Sequence, residues 1–360
     1  MTGRTVIPFG PQHPVFPEPL QLKLVLEEEK VVEAVPAMGY VHRGLEKLAE
    51  QKDFVQNVFL VERVCGICSF MHALCYCEGI EELMGIEVPE RARYLRVIWA
   101  ELSRLHSHHL WLGLVADALG FESLFMQVFR NREIIMDIIE ATSGSRVIMG
   151  SCQVGGVRRD IEPSLMKEVL RRLDSVRYHL DQVTPAVLDE YTVKERTSGL
   201  ATLSKDQAYK LGAVGPVARA SGISLDVRTL GYAAYEALDF TPVLEEAGDS
   251  YARIVVRVRE MHQSIDLVRQ AAARIPDGKL SVPIKGKPEG ETVSRVEQPR
   301  GELVYYIRAN GTKNLERLRI RTPTYANIPP LLHMLPGSQL ANVPSVVVLS
   351  IDPCISCVER

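Results

Sequence analysis

No stretch of this chain approaches the roughly 18 apolar residues in a row that a membrane-spanning helix needs. The longest candidate, Leu110 to Leu119, is short and carries Asp117. The N-terminus lacks both the charged and the apolar region of a signal peptide. Positive charge is not in excess: 42 Lys and Arg face 45 Asp and Glu, a formal net charge of −3. Nothing therefore favours nucleic acid or an anionic membrane surface as a partner. Internal repeats and low-complexity tracts are missing. Cysteine is sparse and odd in number, seven in 360 residues, which does not resemble a secreted disulfide framework. A reducing, cytoplasmic setting with thiols free for metal is the expectation. If the protein works at a membrane, other subunits must hold it there.

What is present is ordinary for a globular protein: 46% apolar and 24% charged residues. The length allows one large core or two smaller ones. Leu20 to Leu26 alternates, Glu27-Glu28-Glu29-Lys30 turns and Val31 to Val35 returns, which predicts a hairpin. Helical spacing dominates from about Leu45. Cys68 to Met84 continues it and stops at Gly85. Pro89 opens a long helix to about Leu119, with Gly120 as its stop. Further helices are expected at 121–142, 161–188, 228–240 and 243–274. Several are apolar on more than one face, which suggests a central bundle. Gly and Pro cluster from Asp277 to Gly290 and predict a loop. Leu303 to Arg308, Asn310-Gly311 and Leu315 to Arg321 read as a second hairpin. Asn327 to Leu335 reads as a short helix, and Ser350 to Pro353 as a strand running into a loop. The fold class expected is mainly α with flanking β hairpins, one domain over residues 1–360.

Two Cys-x-x-Cys pairs lie at opposite ends, Cys65-Gly-Ile-Cys68 and Cys354-Ile-Ser-Cys357. One such pair is a weak signal, open to zinc, a redox disulfide or chance. Two pairs are stronger, because four thiolates suit a soft transition metal. They meet only if the fold brings the chain ends together. A terminus usually frays, but this one follows the apolar run Val343 to Ile351 and is expected to be buried. Structural zinc closes short loops in ribbons and fingers, whereas 289 positions separate Cys65 from Cys354. Energetics alone do not exclude it: closing the loop costs on the order of 5 kcal/mol, and zinc in small peptides supplies roughly 10–16 kcal/mol. A chain of this size, however, needs no metal staple. Neither pair sits in the βαβ context of a thioredoxin-like redox protein.

Arg63-x-Cys65-Gly66-x-Cys68-x-x-x-His72, paired with Asp352-Pro353-Cys354-x-x-Cys357-x-x-Arg360, resembles the large subunit of nickel–iron hydrogenases. The resemblance spans the chain from Gly10-Pro11-Gln12-His13-Pro14 to Arg360. The opening and the terminal arginine resemble the energy-converting, complex-I-related branch (Ech-type and carbon-monoxide-induced enzymes). The complex I homologue shares that opening but lacks the four cysteines. The resemblance implies a nickel–iron centre whose iron carries two cyanides and one carbon monoxide. Cys65 and Cys354 would be terminal nickel ligands, and Cys68 and Cys357 would bridge nickel and iron. The reaction implied is the reversible, heterolytic conversion of hydrogen to protons and electrons, with a terminal thiolate as first base. The alternative class is a non-catalytic quinone-module or scaffold subunit with structural zinc.

The same resemblance assigns the surroundings. Pro299-Arg300-Gly301 would hang the Arg300 guanidinium over the metals, where a permanent cation helps polarise hydrogen. Thr324 would hold a cyanide through its hydroxyl, and Asp352 would pair with Arg300. Glu46 matches a ligand for a magnesium or iron(II) ion. Arg360 replaces the histidine that completes that ion site, so a Glu46–Arg360 pair is the favoured expectation. Gln12 stands where many relatives have a proton-accepting glutamate and cannot titrate. Glu18 is the substitute, with His13 second. His72 is expected to donate to the Cys68 sulfur. Of His106, His108 and His109, one or two should border the site, since adjacent helical residues point about 100° apart. Cys75, Cys77 and Cys152 are expected to be buried apolar residues. No binding motif for an iron–sulfur cluster remains once the other four cysteines are used. The implied partners are a small subunit bearing such a cluster, a ferredoxin-linked iron–sulfur subunit, membrane ion-translocating subunits and maturation factors.

Overall fold

A computed structural model describes residues 3–360. The first sheet is antiparallel, in the order β1 (Arg4–Phe9), β2 (Gln21–Glu27) and β3 (Lys30–Ala37). Leu22, Leu24 and Leu26 of β2 are buried while Lys23 between them is exposed, the period-2 pattern of a half-buried strand. Glu27 pairs with Lys30 at the turn of the expected hairpin.

Two short helices, α1 (Leu45–Gln51) and α2 (Asn57–Glu62), lead to the first cysteine pair. Next comes α3 (Ser69–Met84), which ends on Gly85 in the left-handed conformation. Two long helices follow, α4 (Glu90–Ala118) and α5 (Glu122–Ser143), then a two-residue strand pair, β4 (Cys152–Gln153) and β5 (Gly156–Val157). After α6 (Pro163–Leu188) come three short helices, α7 (Tyr191–Thr197), α8 (Lys205–Lys210) and α9 (Pro216–Arg219), and then the long α10 (Ser250–Arg274). The long helices α4, α5, α6 and α10 pack on one another as the expected bundle. On α6 the buried residues Met166, Val169, Leu173, Val176, Leu180, Val183 and Val187 alternate spacings of three and four, one apolar face. By contrast, α4 is buried almost all round, from Arg91 to Ala116. Among the described residues no helix is long and apolar enough to cross a membrane.

Two helical expectations are corrected. Residues 228–240 hold only 3-10 turns at Val227–Leu230 and Tyr235–Ala237. Gly231 and Ala233 both take positive φ, which an α-helix cannot contain. The helix expected from 243 begins at Ser250. Gly248 has φ +65, and the Asp249 side chain then caps the helix by accepting from the Ala252 N–H.

The C-terminal sheet has the order β6 (Glu289–Gln298), β7 (Gly301–Asn310) and β8 (Leu315–Arg321). The β7–β8 hairpin was expected. The β6 strand was not, because its exposed start, Glu289-Gly290-Glu291, reads as a continuation of the loop. Helices α11 (Pro323–Ala326), α12 (Ile328–Met334), α13 (Val343–Ile351) and α14 (Ile355–Glu359) complete the chain. The strand expected before Asp352 is instead α13. Its valines favour strands intrinsically, but Pro344 sits in the first turn and the helix is buried against α4 and α10, with no sheet edge to join.

Candidate metal centre

The two chain ends meet. Cys65 follows α2, and Cys68 is the residue before α3. Cys354 stands at the start of α14, and Cys357 lies within it. All four are buried free thiols. Sγ of Cys65 lies 3.0 Å from Cys354, Cys354 lies 3.1 Å from Cys357, and Cys68 lies 3.6 Å from Cys357. The four sulfurs fall within 4.8 Å of one another. Hydrogen bonds from Cys354 and its fellow thiols hold Cys65 well below the usual thiol range. The Cys357 thiol lowers Cys354 in the same way. Burial pushes Cys68 and Cys357 up. The set is soft, convergent and shielded from water, and it fits a nickel–iron centre by the chemistry of its donors.

Arg43 ties the two ends together. Its guanidinium donates to the Arg63 carbonyl at 2.8 Å, the Val64 carbonyl at 2.9 Å and the Ser356 carbonyl at 3.2 Å. Glu359 reinforces the join by accepting from the Gly39 and Val41 N–H groups. Neither role was legible from the motifs.

Pro299-Arg300 is the two-residue tip of the β6–β7 hairpin, since Gln298 pairs with Gly301. Such tips normally face solvent, yet Arg300 is only 1% exposed. Gly215 makes this possible: a Cβ there would sit 2.3 Å from the Arg300 carbonyl oxygen. Arg300 donates to the Asp352 carboxylate at 3.0 Å, the Asp352 carbonyl at 2.7 Å and the Ser107 hydroxyl at 3.0 Å. Burial works against its charge, but Asp352 and the thiols outweigh burial and hold the guanidinium above its ordinary value. The Asp352 pairing was expected; the Ser107 contact was missed.

Thr324 is buried, and its Oγ1 accepts from the Cys354 N–H at 3.3 Å, leaving the hydroxyl proton free to donate. Glu18 reaches the C-terminal pair: its Oε2 accepts from the Ser356 N–H at 2.7 Å. Burial, then Cys354, pushes Glu18 up to about 7. His13 packs against the Phe9 and Phe16 rings and accepts from the Val15 N–H. It makes no hydrogen bond to a thiol among the described residues.

His72 contacts a different sulfur from the one expected. Its Nε2 lies 3.5 Å from Cys357, not Cys68, because its Nδ1 is held by the Tyr305 hydroxyl at 2.7 Å. Burial lowers the ring to about 4, so it is neutral. Its two ring nitrogens therefore bridge the Tyr305 hydroxyl and the Cys357 sulfur. Of the histidines on α4, only His106 borders the cysteine loop, beside the Ile67 carbonyl. His109 bonds the Leu105 carbonyl at 2.8 Å and His108 the Glu260 carboxylate at 2.9 Å. Cys75, Cys77 and Cys152 are buried as expected.

The second cation site does not fit. Glu46 accepts from Arg360 at 2.8 Å, the Ile320 N–H at 2.9 Å and Arg319 at 3.2 Å. Burial opposes its charge, but the Ile320 N–H and Arg360 prevail and lower it. A carboxylate satisfied by two guanidiniums leaves no vacancy for a divalent ion.

Below Ser107 lies a buried ionic layer that the sequence did not reveal. Arg219 bridges Glu260 and Glu297, both at 2.7 Å, and Arg228 pairs with Asp226 at 2.8 Å. Glu101 receives Arg104 at 3.2 Å and Arg228 at 3.3 Å. Charged residues on helices read as solvent-facing, and only tertiary packing shows these to be internal.

Residues 118–287 and 284–360 match the family described as respiratory-chain NADH dehydrogenase, 49 Kd subunit. Residues 43–116 match the family described as nickel-dependent hydrogenase. The chain is 42% identical over 357 residues to the carbon monoxide-induced hydrogenase of Rhodospirillum rubrum, covering 98% of this chain and 99% of that one. It is 39% identical to the membrane-bound hydrogenase subunit alpha of Pyrococcus furiosus, covering 98% and 87%. It is also 34% identical to an NADH-quinone oxidoreductase subunit of Dehalococcoides mccartyi, covering 100% and 99%. Among solved structures, a chain of the membrane-bound sulfane sulfur reductase, an archaeal respiratory membrane complex, superposes with a TM-score of 0.94 at 29% identity, covering 99% and 98%.

Proposed function

We propose that this chain, which belongs to the family uniting nickel-dependent hydrogenases with respiratory-chain 49-kDa subunits, is the hydrogen-converting subunit of an energy-converting membrane complex. The observation that carries this reading is the convergence of four buried thiols, with the buried Arg300 guanidinium near enough for their charges to act on it. A quinone-binding or scaffold role requires no such cluster. When bound, a nickel–iron centre with cyanide and carbon monoxide on iron supplies the two-electron redox chemistry of H2 = 2 H+ + 2 e−. Cys65 and Cys354 would be its terminal ligands, and Cys68 and Cys357 its bridging ones.

The other residues follow from their geometry. Arg300 presents a permanent charge whose position is fixed by Asp352 and Ser107, so it need not reorganise during reaction. Thr324 offers a free hydroxyl proton beside Cys354. Glu18, anchored on the Ser356 N–H, would take the proton that leaves the Cys354 thiol, and near pH 7 it can both accept and release it. His72 steadies Cys357 through sulfur. With no further cluster-binding motif, electrons must pass to a small subunit carrying an iron–sulfur cluster. Exposed Phe59 and Val147, the latter beside Gly66 with its carbonyl accepting from the Ser69 hydroxyl, fit its docking. Exchange with ferredoxin, membrane ion-translocating subunits, maturation factors and a peripheral place on the cytoplasmic face complete the reading.

The test is infrared spectroscopy with metal analysis of the purified complex. Intrinsic carbon monoxide and cyanide bands that shift with redox state, with nickel in equal amount to this chain, are expected. Zinc at full occupancy without those bands would overturn the reading. It would favour the second one, a quinone-module role, which the full-length similarity to an NADH-quinone oxidoreductase subunit supports.

A further inference from the structure

The last turn of α13 delivers Asp352 and Cys354 to the thiol cluster, and its carbonyls cannot all be satisfied within the helix. Val348 O accepts from the Asp352 N–H at 3.3 Å and from the Trp111 indole at 2.8 Å. Leu349 O and Ser350 O accept from the two terminal nitrogens of Arg257, at 3.2 and 3.1 Å. Arg253, one turn earlier on α10, donates to the Ser350 hydroxyl at 3.2 Å. The Arg257 guanidinium lies 4.5 Å from the centre of the Trp111 ring, so α4 supplies its seat.

Arg257 is 1% exposed and, among the described residues, forms no salt bridge. Burying a guanidinium without a carboxylate at contact distance is costly. A leucine or methionine would fill the space without that cost, so packing alone does not account for the charge. What an apolar side chain could not do is bond two adjacent carbonyls at once, for which the planar fork is shaped. The cation also complements the negative end of the α13 dipole. The next residue needs holding: Asp352 has φ +47 and ψ +69, a left-handed conformation that strains a non-glycine residue. Asp352 in turn receives Arg300 on both its carboxylate and its carbonyl. The chain of contacts runs Trp111, Arg257, the end of α13, Asp352, and then both Arg300 and Cys354.

We propose that Arg257, seated on Trp111, is a positioning residue for the C-terminal cysteine pair: it clamps the carbonyl end of α13 and so fixes Asp352 and Cys354. This rests on the functional reading only in calling that segment part of a metal site. The test is hydrogen exchange by mass spectrometry on the full chain in its complex, comparing wild type with Arg257→Gln and Arg257→Lys. In Arg257→Gln, amides of residues 350–358 should exchange at least about tenfold faster. Peptides from the middle of α5 and α6 should not change. Arg257→Lys, which keeps the charge but not the fork, should recover part of the protection; a general packing defect would give no such order. Unchanged exchange over 350–358 in folded Arg257→Gln overturns the proposal. If that variant does not fold, Trp111→Phe, which keeps a ring but deletes the donor to Val348 O, must accelerate the same segment, and no change there overturns it equally. The readout needs no metal. Faster exchange in a protein that holds zinc would sink the hydrogenase reading and keep the clamp, and unaltered exchange in a nickel-loaded protein would do the reverse.

Discussion

Gly215→Ala should displace Arg300 from its seat on Asp352 and Ser107, and the structure separates the reasons. Gly215 has φ +64, and Gly212, three residues earlier, has φ +67. Alanine at either position incurs the left-handed backbone strain, about 1–2 kcal/mol. At Gly212 the new methyl meets nothing within 4 Å. At Gly215 it would lie 2.3 Å from Arg300 O and 2.4 Å from the Gly301 Cα, both backbone atoms that no rotamer change can move aside. Overpacking of that kind adds roughly 1–3 kcal/mol. Gly212→Ala should therefore lose about 1–2 kcal/mol, and Gly215→Ala about 2–5 kcal/mol by the same principles. Urea unfolding of the two variants side by side measures the difference. The relief of the clash must move the Pro299-Arg300 tip, so Gly215→Ala should also lose activity, which Gly212→Ala should keep. Equal losses of stability in the two variants would refute the argument that close backbone approach holds the tip in place.

Arg300→Lys should cut hydrogen turnover by about 10²-fold or more, because an ammonium cannot span Asp352 and Ser107 as the guanidinium does; infrared bands that remain present would show the metal site intact. Glu18→Gln should lower turnover by on the order of 10²-fold, as loss of a proton acceptor does, with nickel content unchanged; wild-type turnover would remove Glu18 from the path. The purified complex should hold no magnesium in proportion to this chain, since Glu46 is satisfied by Arg360 and Arg319; elemental analysis decides it, and one magnesium per chain would restore the ion site. Burial, then Asp226, raises the Glu297 carboxyl from its ordinary 4.5 to about 7, against Arg219. The folded state thus holds that proton more tightly, and its stabilising effect is full below pH 4.5 and lost as pH rises through 7. Glu297→Gln should flatten the fall in stability over that window by up to about 1.4 kcal/mol per pH unit, one proton's worth, as measured by urea unfolding at several pH values.

The elements that the sequence disclosed are those whose signals are local. Gly85 marks the end of α3, and the alternation of Leu22, Leu24 and Leu26 marks β2, because a left-handed cap and a pleated face each need only neighbours along the chain. The four cysteines were legible for another reason: one pair is ambiguous, but two pairs together suit a soft metal, and their convergence follows once each pair needs the other. What failed was decided by distant packing. Ser350 to Pro353 reads as a strand running into a loop, but Ser350 and Ile351 close a helix that packing against α4 and α10 buries. His72 was assigned to Cys68 by proximity along α3, but Tyr305, 233 residues away, turns the ring toward Cys357.

The ionic layer carries that argument furthest. Glu101, Asp226, Glu260 and Glu297 face Arg104, Arg219 and Arg228, all buried. Four carboxylates against three guanidiniums leave one negative charge in surplus. The network places that surplus on Glu297, the member whose carboxyl burial and Asp226 push up. At Glu260 burial is outweighed by Arg219 and His108, which hold the carboxyl down. Neither the count nor its consequence can be seen in the sequence, where each residue is one charge among many on a helix or strand. The layer abuts the site at consecutive α4 residues, Ser107 toward Arg300 and His108 toward Glu260. Removing a single member would leave its partner buried and uncompensated, which typically costs about 3–5 kcal/mol. Arg219, which serves two carboxylates, is the member whose loss should be felt most, and a Glu297→Gln background should soften the loss of Arg219 by removing one of the charges left behind.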